Sequence, residues 1–274
     1  MSNYNFIICA VFKNEAHILE EWIKHYLNRG CDHLYLVNDD STDDFLDICL
    51  KYENSVTIYN NEIFTSKEKE GRRLAIYNKY FKPLLSESKW MAILDLSDFL
   101  YSPDTLVLPD IIEKYEDYSQ IVIDCLIFGS NGLKSQPLSV VDEFIKCGLA
   151  KEEGSECNKR TIVKCAELIE LKKYEQEVSG DTFYIKNVEN GQISDLVINN
   201  YCVQSLQWFL KVKAIRGSLD NVCENIKMTH FTENDRNEKL DTRLSDQNKL
   251  IKRAVKSLRT FKAFGDLIED WATE

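Results

Sequence analysis

The sequence predicts an α/β fold: a mostly parallel sheet with helices on both faces, then an irregular C-terminal lobe ending in an amphipathic helix. Three observations carry this. Short apolar runs recur at 6–12, 33–37, 55–59, 90–94 and 121–128. Stretches of helical period separate them, and strand–helix–strand alternation builds parallel pairs because a parallel connection needs a crossover. Finally, 44% hydrophobic and 29% charged residues in a chain of 274 are enough for a sizeable core.

In chain order, FIICAVF (6–12) is a first strand; no basic stretch precedes it, so it does not read as a signal peptide. Over 15–29, Ile18, Leu19, Trp22, Ile23, Tyr26 and Leu27 share one helical face, and Gly30 ends the helix. His25, on the Trp22 side, reads as structural. HLYLV (33–37) is the second strand, and the Asp40-Ser41-Thr42-Asp43 turn doubles as a source of helix caps for 43–51. SVTIY (55–59) precedes a helix over 70–85 that stops near Pro83. WMAIL (90–94) ends on Asp95 and Asp98, after which Phe99, Leu100 and Tyr101 continue extended. IVIDCLIF (121–128) runs into the turn IFGSNG. Beyond it we expect a short helix at 139–147, strands at 160–165, 181–187 and 196–202, and a helix at 203–212. Residues 1–246 read as one domain and 247–274 as the tail helix.

The net charge of −11 argues against a general nucleic-acid binder but leaves room for one local basic pocket. Nine cysteines without a CxxC or a Cys/His cluster exclude a disulfide framework and a zinc site, and point to a reducing, cytoplasmic location. No segment has the ~18–20 apolar residues needed to span a bilayer. Over 247–270, Leu250, Ala254, Leu258, Phe261 and Phe264 form a stripe opposite Lys249, Lys252, Arg253, Lys256, Arg259 and Lys262. Such a helix either docks at a membrane surface, through 247–264, or packs on the domain with a solvated basic face.

Ligands of parallel α/β sheets bind beyond the carboxyl ends of the strands. There the chain places Lys13-Asn14-Glu15, Asn38 through Asp43, and Asp95-Leu96-Ser97-Asp98. A carboxylate pair at a strand end suits a divalent ion bridging a diphosphate, as in sugar transfer from a nucleotide-sugar.

These segments resemble glycosyltransferases of the A-type (GT-A, Rossmann-like) fold, in the family-2-like and family-92-like branch. FKNEAHILEEWIKHYLNRGCDHLYLVNDDSTDD is similar to that branch's opening segment, AIYNKYF to its AYN helix, and WMAILDLSDFLY to its D-x-D stretch. FGSNG, INNYCVQSLQWFLKVKAIRGS and NDRNEKLDTRL resemble later motifs in the same order. The resemblance implies a nucleotide-sugar-binding half (1–130) and an acceptor half (131–246). It implies Asp95 and Asp98 as catalytic and metal-binding residues, holding Mn2+ or Mg2+, with His230 able to complete the site. It places Phe12, Lys13 and Glu15 in the nucleotide pocket, Asn38 and Asp39 near base and ribose, Arg72 near the donor, and Lys211 and Arg216 at the diphosphate. The expected donor is a UDP-sugar, the acceptor a glycan or a lipid-linked glycan, and the outcome inversion. The base is left open among Asp142, Glu143, Asp181 and Asp195.

Several expected ligand positions depart from that pattern. Ser97 stands for the second Asp of D-x-D, Asn200 for the histidine of N-H-Y, and Asn38 for the usual first Asp of the turn. Either Asp95 and Asp98 still hold a metal, or cations such as Lys13, Arg72 and Arg216 replace its charge, or the chain is a catalytically silent nucleotide-sugar or glycan binder supporting a partner enzyme. A sugar-nucleotide transferase is disfavoured by the lack of a glycine-rich phosphate loop near the N-terminus.

Overall fold

β1 (Tyr4–Phe12) is apolar at alternate positions on both of its faces, so both faces must be covered. In the computed structural model, which describes residues 3–63, 71–148, 159–186, 188–189, 192–220 and 225–254, they are. Phe6, Ile8, Ala10 and Phe12 pack with Ile18, Leu19, Trp22, Ile23 and Tyr26 of α1 (Ala16–Leu27). On the opposite face Ile7 and Cys9 pack with Ile76, Tyr77 and Tyr80 of α3 (Gly71–Tyr80), which follows α2 (Phe45–Leu50) in the chain.

The sheet adds β2 (His33–Asn38), β3 (Val56–Asn60), β4 (Ser88–Ile93), β5 (Asp98–Tyr101), β6 (Gln120–Ile127), β7 (Lys159–Lys164), β8 (Thr182–Ile185) and β9 (Val197–Asn200). Its order is β3-β2-β1-β4-β7-β6-β9-β5. β3, β2, β1 and β4 are mutually parallel. β7 lies antiparallel between β4 and β6. β6 pairs in parallel with β8 along its first half and with β9 along its second. β5 closes the edge antiparallel to β9.

The expected strands are present, with three differences among the other elements. α3 ends at Tyr80 and a 3-10 turn, Lys82–Ser86, accommodates Pro83, whose ring cannot sit inside an α-helix. Of the helix expected at 139–147 only α5 (Val140–Glu143) forms, α4 (Leu108–Ile112) preceding it, because Lys146–Cys147 instead pairs with Lys239–Leu240. The stretch after Asp95 does not prolong β4: a turn with Asp98 N–H donating to Asp95 O at 2.9 Å redirects the chain into β5.

α1 fastens that turn. Trp22 Nε1 and Tyr26 Oη donate to Asp98 O at 3.0 and 2.9 Å, and His25 Nε2 bonds Leu100 O at 2.8 Å, so His25 is structural as expected. The FGSNG turn is held by the later motif: Ser130 N–H donates to Asp235 Oδ1 and Asn131 N–H to Asn237 Oδ1, at 2.6 and 2.8 Å. Seven described cysteines are free thiols, six of them buried.

The tail is helical already from 243 to 254. Gln247 and Asn248 accept hydrogen bonds from the buried Arg29, while Leu250 is 62% exposed. Leu258, Phe261 and Phe264 lie outside the described residues, as does most of the segment expected at a membrane. No described helix is long and apolar enough to cross one.

Candidate functional site

The loops after β1 and β2 turn through left-handed backbone at Asn14 (φ 52°) and Asp40 (φ 61°), a conformation that Asn and Asp tolerate. They then bind each other. Asn14 N–H donates to Ser41 Oγ at 3.0 Å, Thr42 N–H to Asn14 Oδ1 at 2.7 Å, and Ala16 N–H to Asp43 Oδ2 at 2.8 Å. The acidic turn therefore caps α1, whereas α2 has no side-chain cap. Asn38 serves the same frame, accepting from Ser41 N–H and donating to Asn60 Oδ1.

Beside this frame, at the carboxyl ends of β1 and β4, opens a cleft of about 110 Å³. Val11, Phe12, Lys13, Glu15, Asp39, Arg73, Asp95, Ser97, Lys213, Arg216, Gly217, Ser218 and Leu219 line it. Six residues expected at the site thus meet: Phe12, Lys13, Glu15, Asp39, Asp95 and Arg216.

Each acid of the cleft is backed by a guanidinium. Asp39 Oδ1 accepts from Arg72 Nη2 and, at 2.7 Å, from Asn61 Nδ2, leaving Oδ2 without a donor among the described residues. Glu15 pairs with Arg216 at 2.8 Å, and Arg216 Nη1 also donates to Lys13 O at 2.6 Å and lies over the Trp208 ring. Asp95 Oδ2 accepts from Arg160 Nη2 at 2.8 Å, and its side chain remains 46% exposed. Partial burial raises the Asp95 carboxyl, but the charges of Arg160, Arg73, Lys213 and Arg216 outweigh this and hold it below the usual range.

Asp98 and His230 do not occupy the positions expected of them. Asp98 is fully buried and does not line the cleft. Its Oδ2 takes Arg160 Nε at 2.5 Å and Asp95 N–H at 2.9 Å, and its Oδ1 takes Asn200 Nδ2 at 2.6 Å. Burial lifts its affinity for a proton, yet all three neighbours are donors, so the ionised form is the one the site accommodates. In this structure Asp98 is bonded on both oxygens and is not part of the cleft wall. His230 stacks on Phe209, with Nδ1 3.4 Å from Asn234 Nδ2, and also does not line the cleft.

Other expectations shift by one or two residues. Arg72 is buried, joining Asp39 to Leu219 O at 2.8 Å, and its neighbour Arg73 faces the cleft instead, bonded to Asp220 at 3.0 Å. Lys211 is exposed, and Lys213 takes the place in the cleft wall. The cause is a π-helical turn, Phe209–Lys213, between α6 (Leu206–Trp208) and α7 (Ala214–Arg216), which moves side chains out of the 3.6-residue phase. Asp142, bonded to Lys252 and Ser245, and Asp195, beside Lys114, are not in the cleft wall, nor are Glu143 and Asp181.

Sequence reading missed Arg160, Arg73 and Lys213. Arg160 is the second residue of β7, beside Lys159, and reaches acids 62 and 65 residues away, a separation with no local signal. Lys213 has no ion-pair partner among the described residues; burial, then the nearby Arg216, lowers its pKa. Four cations and three carboxylates line the cleft of a chain whose net charge is −11.

A divalent ion fits this arrangement poorly. Hard cations take several oxygen ligands. Here one carboxylate of the expected pair is sealed off and the other already serves Arg160. Among the described residues no three His, Cys, Asp or Glu side chains converge as a metal-ligand group.

The architecture is that of an α/β protein with a mixed-charge cleft at the carboxyl edge of its parallel strands, which is the A-type fold expected. The chain belongs to glycosyl transferase family 2, whose description matches residues 7–151. A glycosyltransferase family 92 protein of Oryza sativa subsp. japonica is 23% identical over 156 residues, 55% of this chain and 26% of that protein. One from Ricinus communis is 26% identical over 164 residues, 55% of this chain and 27% of its own length. The chain thus spans about a quarter of the length of these curated relatives. Among solved structures, S. aureus TarS 1–349 superimposes with a TM-score of 0.41 at 13% identity, covering 84% of this chain and 69% of that one. The same TarS segment in complex with UDP gives 0.37 at 17% identity, with coverage of 59% and 47%.

Proposed function

We propose that the cleft holds the nucleoside diphosphate of a sugar donor, a UDP-sugar, and that the chain transfers the sugar with inversion to a hydroxyl of a glycan or lipid-linked acceptor. The observation that carries this reading is the convergence of Lys13, Arg73, Lys213 and Arg216 at the carboxyl edge of β1 and β4 in a strongly acidic chain. Such a concentration of cations over parallel strand ends suits a phosphate-bearing ligand. Membership of glycosyl transferase family 2 makes sugar transfer the matching chemistry.

In a direct displacement the acceptor oxygen forms the new bond to the anomeric carbon. The bond from that carbon to the diphosphate oxygen breaks, the electron pair leaves with the diphosphate, and the hydroxyl proton is released to solvent. Asp39 Oδ2 is an acceptor for a base or ribose hydroxyl. Asp95, with its pKa below the usual range, is a weak proton acceptor. Its role is to orient sugar hydroxyls by hydrogen bonding, and a divalent ion has no step assigned here.

The test is calorimetric and thermal titration with UDP, GDP, CDP and TDP, followed by incubation with the corresponding UDP-sugars and assay for released UDP. A ligand of the native state raises the melting midpoint. A protein whose midpoint and heat of mixing are unmoved by every nucleotide does not have this donor site, and the silent glycan-binding reading then takes precedence.

A further inference from the structure

We infer that the cleft binds the donor diphosphate without a divalent cation, and that Lys213, with Arg73 and Arg216 beside it, carries the charge of the leaving diphosphate. The inference rests on the donor-site reading above and concerns how that site is charged.

Two observations support it independently. The first is that the place between the two expected metal acids is filled by protein. The Arg160 guanidinium spans Asp95 and Asp98, at 2.8 and 2.5 Å. The two departures from the expected motif meet at the same point: Asn200 Nδ2 lies 3.4 Å from Ser97 Oγ and 2.6 Å from Asp98 Oδ1. A second carboxylate at position 97 and an imidazole at position 200 would be ligand chemistry; the serine and asparagine present instead complete a hydrogen-bonded seal around Asp98. An ion entering there would have to displace a guanidinium held by two carboxylates, one of them fully buried.

The second observation is the spare cation. Arg216 and Arg73 are each held by one acid, Glu15 and Asp220. Lys213, in the cleft wall, has no such partner among the described residues. It sits one turn before Arg216, so both heads reach one wall. A lysine placed this way is a fixed point charge for a phosphate oxygen and costs no reorganisation as charge develops there.

The experiment is titration of the full chain with UDP, first after exhaustive EDTA treatment and then in excess Mn2+. We expect affinities within about threefold of each other. Lys213→Ala should weaken UDP binding about tenfold, the loss of one charge-assisted contact, and weaken uridine binding far less. Arg160→Gln should gain a Mn2+-dependent rise in melting midpoint that the parent lacks, since it frees the acids; if that variant does not fold, the EDTA comparison and Lys213→Ala decide. UDP binding that requires Mn2+ in the parent overturns this inference and leaves the donor site standing. Equal loss of UDP and uridine binding in Lys213→Ala overturns the assignment of the leaving-group charge. No UDP binding with or without Mn2+ overturns both.

Discussion

Arg160 and Asp98 form an ion pair sealed from solvent on the acid's side: Nε lies 2.5 Å from Oδ2 and Asp98 is 0% exposed. Its partner acid differs, because Asp95 meets the same guanidinium with a half-open side chain. Removing one member of a buried pair strands the other charge, whereas an exposed pair contributes little. Asp98→Ala should therefore cost about 3–5 kcal/mol of stability. Asp95→Ala should cost about 1 kcal/mol or less while weakening nucleotide-sugar binding. Denaturant midpoints of both variants check this, and equal losses would mean that the two acids are not divided between structure and ligand.

Arg72 links two parts of the cleft, the Asp39 carboxylate and the Leu219 carbonyl. Lysine keeps the charge but lacks the planar fork that reaches both. Arg72→Lys should lose about 2–3 kcal/mol of stability and weaken nucleotide binding, although residue 72 does not line the cleft. Arg73→Ala should do the reverse: little change in melting midpoint and a larger loss of affinity. Matching effects in the two variants would refute this division.

What could be read in advance followed the range of each signal. The faces of β1 and α1 were legible because Ile18, Leu19, Trp22 and Tyr26 repeat at helical spacing within one short stretch. The polar ends of three strands were legible because parallel α/β sheets place sites there. Arg72 and Arg73 could not be told apart, since adjacent helical residues point about 100° apart and only the packing of α3 decides which is inside. Lys213 was hidden by the π-helical turn that it ends. Ser97 and Asn200 were each visible as departures, but their contact, and the arginine that joins it, depend on β7 and β9 meeting β5 and β6 in the folded sheet.

All four histidines have pKa values lowered by burial: His17, His25, His33 and His230, each from an ordinary 6.5. In the folded state they stay neutral where the unfolded chain takes up protons. The unfolded state thus binds more protons below 6.5, so stability from these groups is complete above that value and is lost as pH falls. The melting midpoint should be level near pH 7.5 and decline steadily toward about pH 5.5. His25→Gln, which keeps a donor for Leu100 O, should flatten the decline. A midpoint constant across this window would contradict the burial of these rings.

Gly217 ends α7 at φ 73° and ψ −161°, a backbone region open in practice only to glycine, and it lines the cleft between Arg216 and Leu219. The turn is what brings the Arg216 head back to Glu15 while Leu219 O meets Arg72. A side chain at 217 would be strained there by about 1–3 kcal/mol, and the cheapest relief is to rotate the segment out of its place in the cleft wall. Gly217→Ala should therefore lower nucleotide affinity more than it lowers global stability, because the strain can be released locally while the sheet stays intact. Parallel measurement of the melting midpoint and of UDP affinity tests this. A variant that melts several degrees lower yet binds UDP as the parent does would show that the turn supports the fold and not the cleft.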